Sequence, residues 1–244
     1  MSTSPGGMSP REKLRLQQEQ AARRARERRL LTIVAIGLVV VVVGGIVGFQ
    51  LWRSGRAPSS VPATVSGFAP VSIVSGKPIV LGAADAPVKL QLFEDFHCPH
   101  CADFERELGP TITAEQQSGK VAVELYPMSF IDQGSASAAN AMACAAESGF
   151  GQAYYLGLFA NPDLAWSDSQ LKTLATKVSS SVPAAFGTCV TTKAHQPWVD
   201  SINAAAQAVS VQSTPTLWID KSPVDIATLT PDSLRNMIEQ AAAK

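Results

Sequence analysis

Hydrophobic positions fall into three patterns along the chain. From 30 to 52 they are continuous, with no charged residue, and a run of that length crosses a hydrocarbon core of about 30 Å. From 71 onward they become short and alternating: 71–74, 79–81, 88–93 and 121–128 read as strands. Between the last two, residues 98–117 have the composition of a helix, with Gly109-Pro110 as a candidate kink and Ser118-Gly119 as its stop. From Ser135 to Ser210 the chain is Ala-rich, helical in signal throughout and without a convincing strand. Ser167 with Gln170 reads there as a capping box, Pro183 as an early helix position and Asn161-Pro162 as a break. Tyr154, Tyr155, Phe159 and Trp166, at near-helical spacing, are assigned to the core. A strand at 216–219, a turn at 220–223, a hairpin partner at 224–227 and a final helix opened by Thr230-Pro231 complete the order. Strand, helix, strand, helical insert, hairpin, helix is an α/β arrangement.

Charge divides the chain further. Lys plus Arg equals Asp plus Glu, 20 of each, so nothing points to nucleic acid as a partner. Yet Arg11, Lys13, Arg15, Arg23, Arg24, Arg26, Arg28 and Arg29 crowd the N-terminus against Glu12, Glu19 and Glu27, while only Arg53 and Arg56 follow the apolar run. The heavier basic cluster predicts a cytoplasmic segment at 1–29, a transmembrane helix at 30–52 and everything beyond it outside the cell. A cleaved signal peptide is the rival; the run is longer than a typical signal core and no small-x-small site follows closely. Residues 53–69, with Gly55, Pro58, Ser59, Ser60 and Pro62, read as a polar tether. One domain at 70–244 remains, with its helical insertion at about 135–210.

The chemistry centres on Cys98-Pro99-His100-Cys101, where a strand hands over to a helix. Cysteines three apart in a first turn are neighbours able to form an exposed disulfide. Cys98, at the helix start, faces unpaired N–H groups and the positive end of the dipole, which favour its thiolate. Pro99 suits the first helical position, and His100 offers a second stabiliser of that thiolate. Alternatives are half of a zinc site or an inert disulfide. Zinc needs four ligands, and only Cys144 and Cys189 stand ready to complete a set. Those two fall in the insert and are expected to form a structural disulfide; a second redox pair is the other reading. His97 tunes the neighbouring cysteine or lines a groove, and His195 reads as a surface or core-edge residue. Pro215 is either an ordinary proline at a strand start or a cis proline.

Gly76-Lys77-Pro78, Leu81-Gly82-Ala83-Ala84-Asp85-Ala86-Pro87-Val88 and Asp95-Phe96-His97-Cys98-Pro99-His100-Cys101 together resemble the thioredoxin-fold DsbA-type thiol:disulfide oxidoreductases, above all the membrane-anchored kind. Ser213 to Asp220 is similar to that family's cis-proline strand. The resemblance implies a thioredoxin fold with an α-helical insertion and a redox-active disulfide at Cys98 and Cys101. It also implies a cis peptide at Thr214-Pro215. Because such a proline has no N–H, the adjacent Thr214 backbone is free to pair with an extended client chain, and Thr214, Pro215 and His97 are the residues expected to meet it. It implies no cofactor, reduced secreted proteins as substrates, and reoxidation by a quinone-coupled membrane partner of the DsbB or vitamin-K-epoxide-reductase type. The family often carries a buried carboxylate six residues before the first cysteine, where this chain has Leu92. Glu94 and Asp95 lie close by, and the pattern does not say where either points.

Overall fold

The computed structural model describes residues 10–59 and 69–244, in two compact units that divide after Trp52. The described part of the first belongs to the helix α1 (Pro10–Gly55), whose last turn runs past the division. Its stretch Leu31–Gly55 is apolar and long enough to cross a membrane by length and composition. Most of the expected tether lies outside the described residues, as do positions 1–9 of the basic segment.

The second unit is built on a mixed five-stranded sheet in the order β1-β3-β2-β4-β5. It comprises β1 (Ile79–Gly82), β2 (Val88–Glu94), β3 (Val121–Pro127), β4 (Thr216–Ile219) and β5 (Ser222–Val224). β2 and β3 run parallel, Val88 opposite Val121 through Glu94 opposite Pro127. Parallel neighbours need a crossover, supplied here by α2 (Pro99–Gln117). β1 closes one side of this pair and β4 the other, both antiparallel. Burial follows: Val88, Leu90, Leu92, Val121, Leu125 and Leu217 have no measurable exposure, as expected of strands covered on both faces.

Two strand expectations need correction. Residues 71–74 are not a strand: the Val71 N–H donates to the Ala146 carbonyl, and a turn follows in which Lys77 N–H donates to Val74. The late hairpin is also tighter than the pattern suggested. Asp220 and Lys221 both take positive φ, 48° and 67°, the conformation of a two-residue turn. Ser222 therefore pairs with Ile219, and β5 begins two residues earlier than expected.

Between β3 and β4 come five helices: α3 (Gln133–Glu147), α4 (Gly151–Phe159), α5 (Asp168–Val178), α6 (Ala184–Thr192) and α7 (Gln196–Ala208). α3 is buried almost all round, with Ala138, Ala139, Ala141, Ala143 and Ala145 at no exposure. Side chains this small let α4, α6 and α7 approach closely, and alanine costs least in a helix. The Cys144–Cys189 disulfide, S–S 2.05 Å, ties α3 to α6. The final helix, α8 (Pro231–Ala242), starts at a Thr230–Ser233 capping box and packs on α2.

Candidate active site

Three segments converge at the C-terminal end of β2. The strand's last residue is Glu94; Asp95 then turns the chain, its carbonyl accepting from Cys98 N–H at 2.9 Å and its Oδ1 from His97 N–H at 2.9 Å. Cys98 is left at the N-cap of α2 with extended backbone (φ −78°, ψ 117°), and Pro99 occupies the first turn, where it forfeits no hydrogen bond. Cys98 makes no side-chain cap bond to the first-turn N–H groups. Its Sγ–H instead donates to the Thr214 carbonyl at 3.5 Å. The Thr214-Pro215 bond is cis, and the loop it forms faces the cysteine from the start of β4.

Both sulfurs are free thiols. Cys98 is less exposed than a first-turn disulfide suggests, retaining 6% exposure, and Cys101 has none. Cys101 lies one turn inside, on the stripe of α2 that includes Phe104, Leu108 and Ile112. Burial, and then the Glu94 carboxylate, push its thiol far up, so Cys101 is neutral at any ordinary pH. His100 is exposed and lines a groove of about 360 Å³ with Phe104, Glu107, Thr214, Pro215 and Ile226.

A carboxyl cluster lies beneath the sulfurs. Glu94 has no exposure. It shares a face of β2 with Leu92, two residues back, so the acid stands one step further along the face where the resemblance had placed one. Burial and then the neighbouring Glu105 push its carboxyl well up, against the Tyr155 hydroxyl, which donates to Glu94 Oε2 at 2.5 Å. Glu105 itself, 8% exposed, is raised by burial to about 7 and also interacts with Tyr155. Among the described residues, Glu94 Oε1 and Glu105 Oε1 have no hydrogen-bond partner, as expected of carboxyls that hold their protons, because an ionised oxygen left unpaired costs far more.

A family model described as thioredoxin matches residues 74–240. The chain belongs to the thioredoxin family. Solved structures share the fold at low identity. MdbA, a thiol-disulfide oxidoreductase from Actinomyces oris, is 24% identical, with a TM-score of 0.61 over 76% of this chain and 99% of that one. Oxidised BdbD from Bacillus subtilis is 24% identical, with 0.59 over 71% and 100%. Reduced DsbA from Mycobacterium tuberculosis is 20% identical, with 0.59 over 69% and 93%. No curated protein matches the chain.

The remaining expected site residues divide around this thioredoxin-family centre. His97 does not line the groove beside Thr214 and Pro215. Its side chain, 4% exposed, turns back so that Nδ1 meets Asp132 Oδ1 at 2.6 Å. Asp132 caps α3 by accepting from Ser135 N–H. Partial burial pushes the Asp132 carboxyl up, but the Ser135 N–H and His97 outweigh it and hold it below the usual range. The His97 ring needs Gly134 beneath it, because a Cβ there would fall 2.1 Å from Cε1 and 2.6 Å from the Ala165 carbonyl. Cys144 and Cys189, bonded to each other, complete no metal set with Cys98 and Cys101. His195 lies within 4.8 Å of that sulfur pair and its Nε2 meets Glu147 at 2.8 Å.

Sequence reasoning missed the acid cluster. One signal was available: Glu105 interrupts the apolar stripe of Cys101, Phe104, Leu108 and Ile112, an acid at a core position of an amphipathic helix. Tyr155 was assigned to the core correctly, but nothing in its spacing identified a partner for its hydroxyl.

Proposed function

We propose that the protein is a thiol:disulfide oxidoreductase working outside the cytoplasmic membrane as an oxidase of secreted and envelope proteins. The observation that carries this reading is the Cys98 sulfur, held at a helix start 3.5 Å from the Thr214 carbonyl with Cys101 one turn behind it. Membership of the thioredoxin family supports it. So does likeness to MdbA, which is itself a thiol-disulfide oxidoreductase.

In the oxidising cycle a client thiolate attacks Cys98 Sγ and the Cys98–Cys101 bond breaks. Cys101 leaves with the electron pair and, because burial disfavours its thiolate, takes a proton from Glu94. A second client thiolate then attacks the client's own sulfur in the mixed disulfide and expels the Cys98 sulfur with the electron pair, which takes a proton from solvent. The client disulfide is formed and the enzyme is left as a dithiol. Thr214, Pro215 and His100 border the groove in which the client backbone lies. The Leu31–Gly55 span anchors the enzyme with its N-terminus in the cytoplasm. That raises its local concentration beside a quinone-coupled membrane partner, which restores the disulfide.

The test uses the full chain in detergent and a reduced, unfolded protein as substrate. Wild type, oxidised beforehand to its Cys98–Cys101 disulfide, forms disulfides in it, Cys98→Ser forms none, and Cys101→Ser, charged beforehand as a Cys98–glutathione mixed disulfide, releases glutathione and gives a mixed disulfide with the substrate visible on a non-reducing gel. Equal activity of wild type and Cys98→Ser overturns the enzyme reading in favour of an anchored chaperone. Equilibration with glutathione fixes the direction: a potential well below that of the glutathione couple makes the protein a reductase or isomerase acting through the same residues.

A further inference from the structure

Helix α2 presents two different faces to two different cavities. An α-helix advances about 100° per residue, which groups His100, Phe104 and Glu107 on one side. They border the groove shared with Thr214 and Pro215. Glu105, Gly109 and Thr113 fall roughly 180° around the helix by the same count. These border a second cavity, of about 570 Å³, closed on its far side by Leu156 and Phe159 of α4. The cysteines' buried acid cluster reaches this second cavity through Glu105. Gly109 makes room for it, since a Cβ there would stand 2.7 Å from Glu105 Oε2.

The redox chemistry needs a proton path, and with a client bound the front of the site cannot supply it. Each turnover moves a proton onto or off Cys101, and neither Cys101 nor Glu94 has any exposure. In the mixed disulfide, moreover, the client covers the Cys98 side of α2. From Glu94 a hydroxyl leads the other way: Tyr155 donates to Glu94 Oε2 at 2.5 Å and interacts with Glu105.

We propose that Tyr155 and Glu105 carry protons between Glu94 and the α2–α4 cavity, so that the buried cysteine exchanges its proton through the face of α2 opposite the client. This rests on the redox function proposed above. When Cys101 leaves as a thiolate, Glu94 gives it a proton. Tyr155 then passes its hydroxyl proton to Glu94 and receives one from Glu105, which is reprotonated by water in the cavity. Reoxidation runs the same transfers backwards, and no charge is left behind. Glu105 is suited to the outer position, because burial raises it to about 7, where a carboxyl both gives and accepts protons at neutral pH. Burial, then Glu105 and Glu94, keep Tyr155 protonated, so it acts as a relay and does not hold charge. Neither residue touches the client; both act through Glu94.

The experiment starts from the full chain in detergent oxidised to its Cys98–Cys101 disulfide and compares two substrates: a reduced, unfolded protein, which covers the front of α2, and dithiothreitol, small enough to leave that face open to water. Tyr155→Phe keeps the ring that packs on Phe96 and Phe159 and removes only the hydroxyl. The expected result is a rate with the protein client about tenfold or more lower, with a larger solvent deuterium isotope effect, and little change with dithiothreitol. Glu105→Gln, which keeps shape and hydrogen bonding but holds no exchangeable acid proton, reproduces the same selective loss and stands in if Tyr155→Phe folds poorly. Equal slowing with both substrates in both variants marks a structural role and overturns the proposal, as does no slowing with either. A wild-type protein that oxidises neither substrate removes the redox function itself, an outcome distinct from failure of the relay alone.

Discussion

Replacing Glu105 with glutamine isolates the energetic cost of burying an acid beside the cysteines. The folded state raises this carboxyl from 4.5 to about 7, by burial. One pH unit corresponds to about 1.36 kcal/mol, so the shift of roughly 2.5 units amounts to about 3 kcal/mol between the protonation states. A raised value means the folded protein binds the proton more tightly than the unfolded chain. The stability it contributes is therefore complete below about pH 4.5 and is lost as pH rises through about 7. Glu105 should account for a loss of about 3 kcal/mol across that window, at a slope of its own no steeper than about 1.4 kcal/mol per pH unit. Glu94, which burial and the neighbouring Glu105 also hold protonated in the fold, adds its own slope of the same sign over this range, because the unfolded chain has already released that proton. Glutamine does not titrate, so Glu105→Gln should lose about 3 kcal/mol less than wild type over the same range, with the Glu94 contribution left. The assay is urea unfolding of the full chain in detergent, followed by tryptophan fluorescence at a series of pH values with the thiols kept reduced. Parallel wild-type and variant curves between about pH 5 and 7.5 would refute the assignment of the acid cluster.

Two further outcomes follow from packing in the insert and around His97. Replacing Cys144 and Cys189 by alanine opens a loop with a sequence separation of 45. The chain-entropy model puts the loss at about 4 kcal/mol, and an unchanged unfolding midpoint would mean that native-state effects cancel it. Gly134→Ala drives a methyl into the His97 ring and the Ala165 carbonyl. It should destabilise the domain by about 1 to 3 kcal/mol; an unaltered melting temperature would show that His97 is free to move aside.

Much of this molecule is legible in its sequence. Alternation at 88–93 and 121–128 located the two central strands, and the Ala-rich block located the helical insert, because a strand repeats every two residues and a helix every 3.6. Ser167 with Gln170 capped α5 as expected, since a capping box is a local hydrogen-bond exchange that needs no tertiary context. The strand expected at 71–74 failed for the opposite reason: its apolar residues were sufficient, but the Val71 N–H found its partner in α3 and not in a neighbouring strand. The hairpin register slipped because Asp220 and Lys221 both adopt positive φ without glycine.

By itself, the sequence determined the apolar span, the order of elements and the placing of Cys98 and Cys101 where a strand meets a helix. All of these are local properties of composition, period and spacing. Only the tertiary structure decided that Glu94 points beneath the sulfurs, that Glu105 meets it through Tyr155 from another helix, and that His97 turns to Asp132 and not to the groove. These depend on residues distant in sequence sharing one dry volume. There, loss of water sets both the protonation of a carboxyl and the partner it takes, and no local pattern encodes that.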